Sequence, residues 1–172
     1  MSQSSGGHPA DTDPDRLVAE CDVQRTRRSG PGGQNRNKVE TAIVLVHRPT
    51  GIRAEANERR SQLENLKIAV FRLRLNLALS VRMVRDDARI PSRLWSSRCR
   101  GEKIAVSTEH DDFPSLLAEA LDIIEAAEMD LPAAAARLGC TGSQLLKLLK
   151  GEPRALALVN ANRQRLGLRN LL

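Results

Sequence analysis

The pattern of apolar and polar positions predicts three strands in the first half of the chain. Residues 52–57 alternate apolar and polar side chains, which is the period-2 pattern of a half-buried strand. The run from Ala42 to Val46 is apolar on both alternations, so we expect a strand that is covered on both faces. Cys21 to Arg27 is predicted as the first strand, after a short helix that begins at Asp13-Pro14.

A long helix is predicted after these strands, beginning near Ser61. Its apolar residues recur three and four positions apart, which gives it one face to lay on the sheet. They are Leu63, Leu66, Val70, Leu73 and Leu77. The first part of the chain is therefore expected to be α+β, with a small antiparallel three-stranded sheet and one long packing helix.

From Asp112 onward the periodicity is helical. Asp130 and Ser143 are predicted to cap two short helices with Gly139 in the turn between them, and Glu152-Pro153 begins a last helix. The two short helices are similar to a helix-turn-helix. We therefore expect an all-α, helix-turn-helix-like module over residues 107–172.

The stretch from Ser29 to Lys38 is predicted to be a projecting loop, because glycine enters positive φ freely and proline fixes its own φ. Cations lie within it and before it: Arg25, Arg27, Arg28, Arg36 and Lys38. An exposed main chain between cations is suited to close contact with a polyphosphate chain. The alternative is that some of these cations only keep the loop soluble.

The net charge of +6 is unevenly distributed. Residues 16–106 carry 20 Lys and Arg against 9 Asp and Glu, whereas the rest of the chain carries 7 against 12. A basic face of this kind is typical of nucleic-acid binding, and an aromatic content of 2% favours phosphate contact over base stacking. The three cysteines are far apart, so we expect no disulfide framework, no metal site and a cytoplasmic location.

Gly32-Gly33-Gln34, followed by Asn37-Lys38-Val39-Glu40-Thr41, resembles the catalytic signature of class I peptide chain release factors and of the small ribosome-rescue factors related to them. The resemblance extends from about Cys21 to Leu79 and includes Glu58-Arg59-Arg60-Ser61-Gln62. It implies a ribosome-dependent peptidyl-tRNA hydrolase that needs no cofactor. Such an enzyme acts in the peptidyl-transferase centre of the large subunit and contacts peptidyl-tRNA and ribosomal RNA.

The resemblance also implies the roles of individual residues. Gly32, Gly33 and Gln34 are the catalytic residues: the main-chain N–H of Gln34 donates to the developing oxyanion or to the departing ribose oxygen, and its side chain lines the pocket that admits water. The two glycines allow an approach that a Cβ would block. The RNA-binding residues are expected to be Arg25, Arg27, Arg28, Arg36, Lys38, Arg59 and Arg60.

We expect four segments: a disordered N-terminus (1–14), a release-factor-like hydrolase domain (15–80), a basic connector (81–106) and the helical module (107–172). This length leaves no room for the domains with which release factors read a stop codon. Codon-independent release by a monomer, as in ribosome rescue, is therefore expected. The chain end has three arginines rather than the Lys/Arg-rich tail of rescue factors, which argues against sensing of the messenger channel.

Two alternatives remain open. One is a non-catalytic ribosome- or RNA-binding protein with the same fold. The other is a helix-turn-helix DNA regulator, in which Gln144, Lys147 and Lys150 would face a groove. The charge of −2 over residues 107–172 argues against DNA, so we expect that module to dock on the first domain, a ribosomal protein or RNA. The connector either contacts ribosomal RNA or is a solvated linker.

Overall fold

The computed structural model describes residues 7–26 and 41–172. The chain divides into two compact units, residues 1–77 and 78–172. The first unit combines an antiparallel sheet with helices, and the second consists mainly of helices. The expected fold class, α+β followed by a helical part, is therefore confirmed.

The first unit contains a short helix, a three-stranded sheet and a long helix. In chain order they are α1 (Pro14–Ala19), β1 (Cys21–Thr26), β2 (Ala42–His47), β3 (Arg53–Ala56) and α2 (Gln62–Ser80). The sheet is antiparallel with the order β1-β2-β3. The start of α1 is as predicted, because the Asp13 carboxylate accepts from the main-chain N–H of Asp15 at 3.0 Å.

Only one face of the sheet is fully buried. Leu45 on the central strand lies opposite Ala54, and both are buried. Val44 and Val46 point to the other face and are only half-buried. The prediction of a strand covered on both faces is therefore wrong, and β2 is instead the middle strand of a sheet with one packed face.

The helix α2 runs antiparallel to β3 and is hydrogen-bonded to it by long side chains. Arg72 Nη1 donates to the main-chain oxygen of Glu55 at 2.8 Å. One turn further along, Asn76 Nδ2 donates to the main-chain oxygen of Arg53 at 2.9 Å. These two hydrogen bonds hold α2 against β3.

Most of the apolar stripe predicted for α2 is buried, including Val70, Leu73 and Leu77. Leu63 is the exception, since it is 63% exposed. The buried residue in the first turns is instead Asn65, at 0% exposure. Two residues of a helix separated by two positions lie on nearly opposite sides, so burial of Asn65 places Leu63 in solvent.

The second unit contains four longer helices that follow a short helix and a two-stranded hairpin. In chain order these are α3 (Arg93–Arg98), β4 (Cys99–Arg100), β5 (Lys103–Ile104), α4 (Phe113–Ala126), α5 (Leu131–Leu138), α6 (Gly142–Lys150) and α7 (Pro153–Arg165). Every residue of α4 from Phe113 to Ile124 is buried, so this helix forms the centre of the unit.

Two acidic side chains of α4, and that of Asp112 immediately before it, bind the segment that precedes the helix. Asp112 Oδ2 accepts from Arg98 Nε at 2.8 Å. The buried Asp122 carboxylate accepts from Arg85 Nε at 2.8 Å and from the main-chain N–H of Met83 at 3.0 Å. Glu119 accepts from the main-chain N–H of Ser92 at 2.7 Å. Residues 81–98, the greater part of the expected basic connector, thus wrap around α4.

The helix pair α5 and α6 has the predicted turn, with Gly139 in the left-handed region at φ 66°. The Asp130 cap is confirmed, since its Oδ1 accepts from Ala133 N at 3.0 Å. The Ser143 cap is wrong: α6 begins two residues earlier, because Thr141 Oγ1 accepts from Gln144 N at 3.2 Å. Along residues 7–26 and 41–172, no helix is both long and apolar enough to cross a membrane.

Candidate functional site

The predicted catalytic residues lie between the first two strands. Gly32, Gly33 and Gln34 fall outside the residues that the structure describes, and four of the expected RNA-binding residues do so too. These four are Arg27, Arg28, Arg36 and Lys38. What the structure does describe is the support of this segment: Thr26 pairs with Ala42 in the last rung of the β1–β2 ladder.

All the parts of the chain next to this segment meet at one end of the sheet. Because the strands are antiparallel, β1 ends, β2 begins and β3 ends at the same end of the sheet, and the chain continues from there into α2. Thr26, Ala42 and Ala56 mark this end, which we call the open end of the sheet. The two described residues that flank positions 27–40, Thr26 and Thr41, therefore both lie at the open end.

Asn65 holds the open end together. Its Nδ2 donates to the main-chain oxygen of Thr41 at 2.7 Å and to that of Arg59 at 2.8 Å. Its Oδ1 accepts from the main-chain N–H of Arg59 at 2.9 Å. One buried amide thus joins the residue that follows the predicted catalytic segment to the chain that leads into α2.

Sequence reasoning missed Asn65, although a signal was present. It lies one turn before Ala69 and two turns before Leu73, on the face of α2 that is buried. A buried amide usually has hydrogen-bond partners, so a polar residue in that position indicates a specific main-chain contact.

The three expected RNA-binding residues that the structure describes all lie near the open end. Arg25 is on β1, opposite Ile43 at the start of β2, and Arg59 and Arg60 lie between β3 and α2. All three side chains are exposed. Within residues 7–26 and 41–172, none of the three forms a side-chain hydrogen bond or salt bridge, so their charges remain available.

Glu58, the acidic residue nearest in sequence to Arg59 and Arg60, is paired with a different arginine. Glu58 accepts a hydrogen bond from Arg72, which lowers the pKa of the Glu58 carboxyl below its usual value. The main-chain N–H of Asn57 also donates to this carboxylate at 2.8 Å. With Glu58 bound in this way, the positive charge of Arg59 and Arg60 is not offset by their neighbour.

The described residues show no group of three or more His, Cys, Asp or Glu side chains that could hold a metal ion. The candidate site therefore consists of a glycine-containing segment, a sheet edge fixed by Asn65, and exposed arginines. An arrangement of this kind can present main chain to a phosphate-rich partner.

The family described as RF-1 domain matches residues 17–108, which is just over half of the chain. The chain belongs to the RF-1 domain family. The matched range includes the sheet, residues 27–40, α2 and the hairpin β4–β5. The resemblance to class I release factors is thereby confirmed.

Curated relatives of this RF-1 domain chain are described as peptide chain release factors. The chloroplastic PrfB1 of Arabidopsis thaliana is 42% identical over 77 residues, which cover 40% of this chain and 17% of the relative. The mitochondrial release factor 1-like protein of Rattus norvegicus is 37% identical over 87 residues, 51% of this chain and 21% of the relative.

Release factor 1 of Streptococcus pyogenes is 35% identical over 109 residues, which cover 59% of this chain and 30% of the relative. The chain therefore spans less than a third of the length of each of these three relatives. No solved structure matches the chain.

Proposed function

We propose that this RF-1 domain chain hydrolyses the ester bond of peptidyl-tRNA in the peptidyl-transferase centre of the large ribosomal subunit. The observation that carries the proposal is that the matched range, 17–108, contains Gly32-Gly33-Gln34. The curated relatives that the chain matches are described as peptide chain release factors, which supports a role in translation termination.

In the proposed reaction, water adds to the ester carbonyl carbon and the bond from that carbon to the ribose oxygen breaks. The ribose oxygen takes up a proton, and the peptide leaves with a free carboxyl group. Gln34 is neither nucleophile nor base, since a carboxamide does not titrate near neutral pH. Its main-chain N–H donates to the oxyanion or to the departing oxygen, and its side chain lines the space for water.

The cations of the open end complete the proposal. Arg25, Arg59 and Arg60, together with the cations inside residues 27–40, bind phosphates of transfer RNA and ribosomal RNA. Their exposure and lack of partners in the described part of the chain support this role. Contacts of this kind weaken steeply as the salt concentration rises.

Codon independence, rescue of stalled ribosomes, a monomeric state and a cytoplasmic location are further parts of the proposal. The three cysteines are free, which agrees with a reducing compartment. Two of the curated relatives are described as chloroplastic and mitochondrial, so the location needs its own measurement, by fractionation of the source cells.

The decisive experiment measures release of a labelled peptide from purified ribosomes that hold peptidyl-tRNA. Ribosomes with a stop codon, with a sense codon and without downstream messenger are compared. We expect release from all three, at a rate that falls about 10²–10³-fold in the Gln34→Pro variant, which lacks the main-chain N–H of residue 34. Gln34→Ala keeps that N–H and removes only the side chain, so its rate should fall by less. Release confined to the stop codon would contradict codon independence, and equal rates for wild type, Gly33→Ala and Gln34→Pro would contradict catalysis.

Co-sedimentation with ribosomes separates this function from the non-catalytic alternative. The catalytic proposal predicts that Gln34→Pro, which lacks the main-chain donor, still sediments with ribosomes while release is lost. A protein that only occupies the ribosome would sediment equally well in both forms and would show no ester cleavage in either.

A further inference from the structure

A second exposed cationic surface lies in the second unit, and the proposed function does not use it. It is formed by the hairpin β4–β5 and the outer side of α6, and we call it the hairpin–α6 surface. Arg100 and Lys103 are cross-strand partners in the hairpin. Lys147 and Lys150 lie on the side of α6 opposite the buried Leu145 and Leu148.

The hairpin and the helix are joined by two hydrogen bonds. The main-chain N–H of Ile104 donates to Gln144 Oε1 at 3.3 Å, and the main-chain N–H of Thr141 donates to the oxygen of Glu102 at 3.4 Å. The stripe from Ser143 to Lys150 extends about 10 Å along the helix, from the rise of 1.5 Å per residue. The cations therefore belong to one continuous part of the unit.

The hairpin–α6 surface carries four cations and one exposed acid, Glu102, which lies in the turn between Arg100 and Lys103. Arg100, Lys103, Lys147 and Lys150 are exposed, and none of the four has a side-chain hydrogen bond or salt bridge with another residue of the described ranges. By contrast, Arg82, Arg85 and Arg98 are paired with Asp122 and Asp112. Cations with carboxylate partners thus stabilise the fold, whereas the four exposed cations of the hairpin–α6 surface can bind a ligand.

The overall charge of −2 for residues 107–172 conceals a division along the chain. Residues 107–139 carry eight acids and one base, whereas residues 140–172 carry six bases and one acid. Glu119 and Asp122, two of the acids in the first range, are buried and bonded to residues 82–92. The part of the unit that includes α6 is therefore strongly positive at its surface.

The side chain best suited to reading bases is used internally. Gln144 is the residue that a helix-turn-helix would offer to a base edge, but its Oε1 accepts from Ile104. What remains exposed on α6 is a hydroxyl, that of Ser143, and two ammonium groups. Such groups frequently contact phosphate oxygens.

We propose that the hairpin–α6 surface binds the phosphate backbone of duplex RNA, as a second RNA contact separate from the open end of the sheet. The choice of RNA over DNA rests on the proposed function, in which the chain works on the ribosome. Backbone contact without base contact is also the usual mode of duplex RNA recognition. The surface acts in binding and not in hydrolysis, so it is tested independently of Gln34.

The test measures binding of the full chain to a short RNA duplex, and to a DNA duplex of the same sequence, at several salt concentrations. The variants are Lys147→Gln/Lys150→Gln, Arg100→Gln/Lys103→Gln and the combination of all four. Arg89→Gln/Arg93→Gln is the control for the two double variants, because it also removes two positive charges, from exposed positions of the second unit outside this surface. Thermal unfolding of each variant checks that it is folded.

We expect the fourfold variant to bind RNA at least tenfold more weakly, with a slope of log K against log salt that is smaller by about 3. Each double variant should show about half of that change in slope, and the control should bind within about twofold of wild type. Equal RNA binding by the fourfold variant and the control would overturn the proposal. Preference of the wild type for the DNA duplex would overturn it as well.

Failure of this test is distinguishable from failure of the proposed function. The four substitutions leave Gly32 to Gln34 unchanged, so peptide release at saturating protein should be retained by the fourfold variant. Loss of release in Gln34→Pro with normal RNA binding would support the catalytic proposal alone. Loss of RNA binding in the fourfold variant would support the hairpin–α6 surface alone.

Discussion

The two ends of the three-stranded sheet use their polar residues in opposite ways. At the end where β1 begins and β2 ends, the buried His47 lies 2.8 Å from the Thr50 hydroxyl and 3.4 Å from a Glu20 carboxylate oxygen. Arg48 donates to the main-chain oxygens of Ala19 and Cys21, at 2.6 and 2.7 Å. We call this the closed end of the sheet, because its polar groups bind other parts of the protein.

At the open end, the buried amide of Asn65 fixes the main chain while the cationic side chains stay exposed. Arg25, Arg59 and Arg60 have no side-chain partners within the described ranges. The difference between the two ends shows that the presence of a cation in the sequence does not by itself reveal whether it stabilises the fold or binds a ligand. A cation with two main-chain acceptors contributes to stability, whereas a cation without partners is available to a ligand.

The largest effect on stability is expected from Asn65→Ala, which removes three hydrogen bonds between a buried amide and the main chain of Thr41 and Arg59. We expect a loss of about 3 kcal/mol in the free energy of unfolding, measured in urea. Peptide release per folded molecule should also fall, by at least about tenfold, because Thr41 is no longer fixed.

Asn76→Ala is the matched control for Asn65→Ala. Asn76 is also on α2 and also donates to a strand, but at the beginning of β3 rather than at the open end. We expect a stability loss of about 1 kcal/mol and no change in release per folded molecule. An equal loss of release in both variants would show that the open end has no special role.

The next largest effect is expected from Arg48→Gln at the closed end. It removes two hydrogen bonds from a charged donor to main-chain oxygens, at a cost of about 2 kcal/mol. Release by the folded protein should stay within about twofold of wild type. A fall in release that exceeds the fall in folded fraction would contradict the distinction between the two ends.

Arg59→Gln/Arg60→Gln should weaken ribosome binding by about tenfold at low salt, with little change in stability. The salt dependence of binding should become shallower, since fewer phosphates are neutralised. Arg16→Gln/Arg53→Gln removes the same charge from exposed positions away from the open end and serves as the control. Equal weakening by the two double variants would indicate a general charge effect rather than a site.

The smallest effect is expected from Glu58→Gln. The pKa of Glu58 is lowered in the folded chain, so its ion pair with Arg72 stabilises the protein above the ordinary carboxyl pKa. This contribution is lost as the pH falls through the lowered pKa. The pair is partly exposed, so the cost at pH 7 should be below about 1 kcal/mol, and it should disappear in strongly acidic buffer. If the two proteins still differed in free energy of unfolding in strongly acidic buffer, the ion pair would not be the origin of the difference.

The periodicity of the sequence and the capping residues predict most of the helices and strands and several of their ends. The start of α1 at Asp13-Pro14 and the Asp130 cap of α5 depend on neighbours within three residues, and both are confirmed. The Ser143 cap is wrong because Thr141 is a second hydroxyl two residues earlier, and only the observed φ and ψ select between them.

Contacts between residues distant in sequence could not be predicted in this way. Asn65 bonds Thr41 across 24 residues, and Asp122 bonds Arg85 across 37. No local pattern encodes such partners, so periodicity alone indicates neither the main-chain partners of Asn65 nor the pairing of Arg85, which lies in the predicted basic connector. The resemblance identified the family from residues around Gly32-Gly33-Gln34, but their catalytic role remains a proposal.

The most direct test of the account is the rate constant of peptide release at saturating protein, for wild type and Gln34→Pro on the same ribosomes. Proline has no main-chain N–H, so this variant lacks the donor that the proposal assigns to residue 34. Saturation removes differences in binding, so the rate reports only the chemical contribution of residue 34. We predict a reduction of about 10²–10³-fold, as expected for loss of an aligned donor. Equal rate constants for the two proteins would contradict the claim that this segment catalyses release.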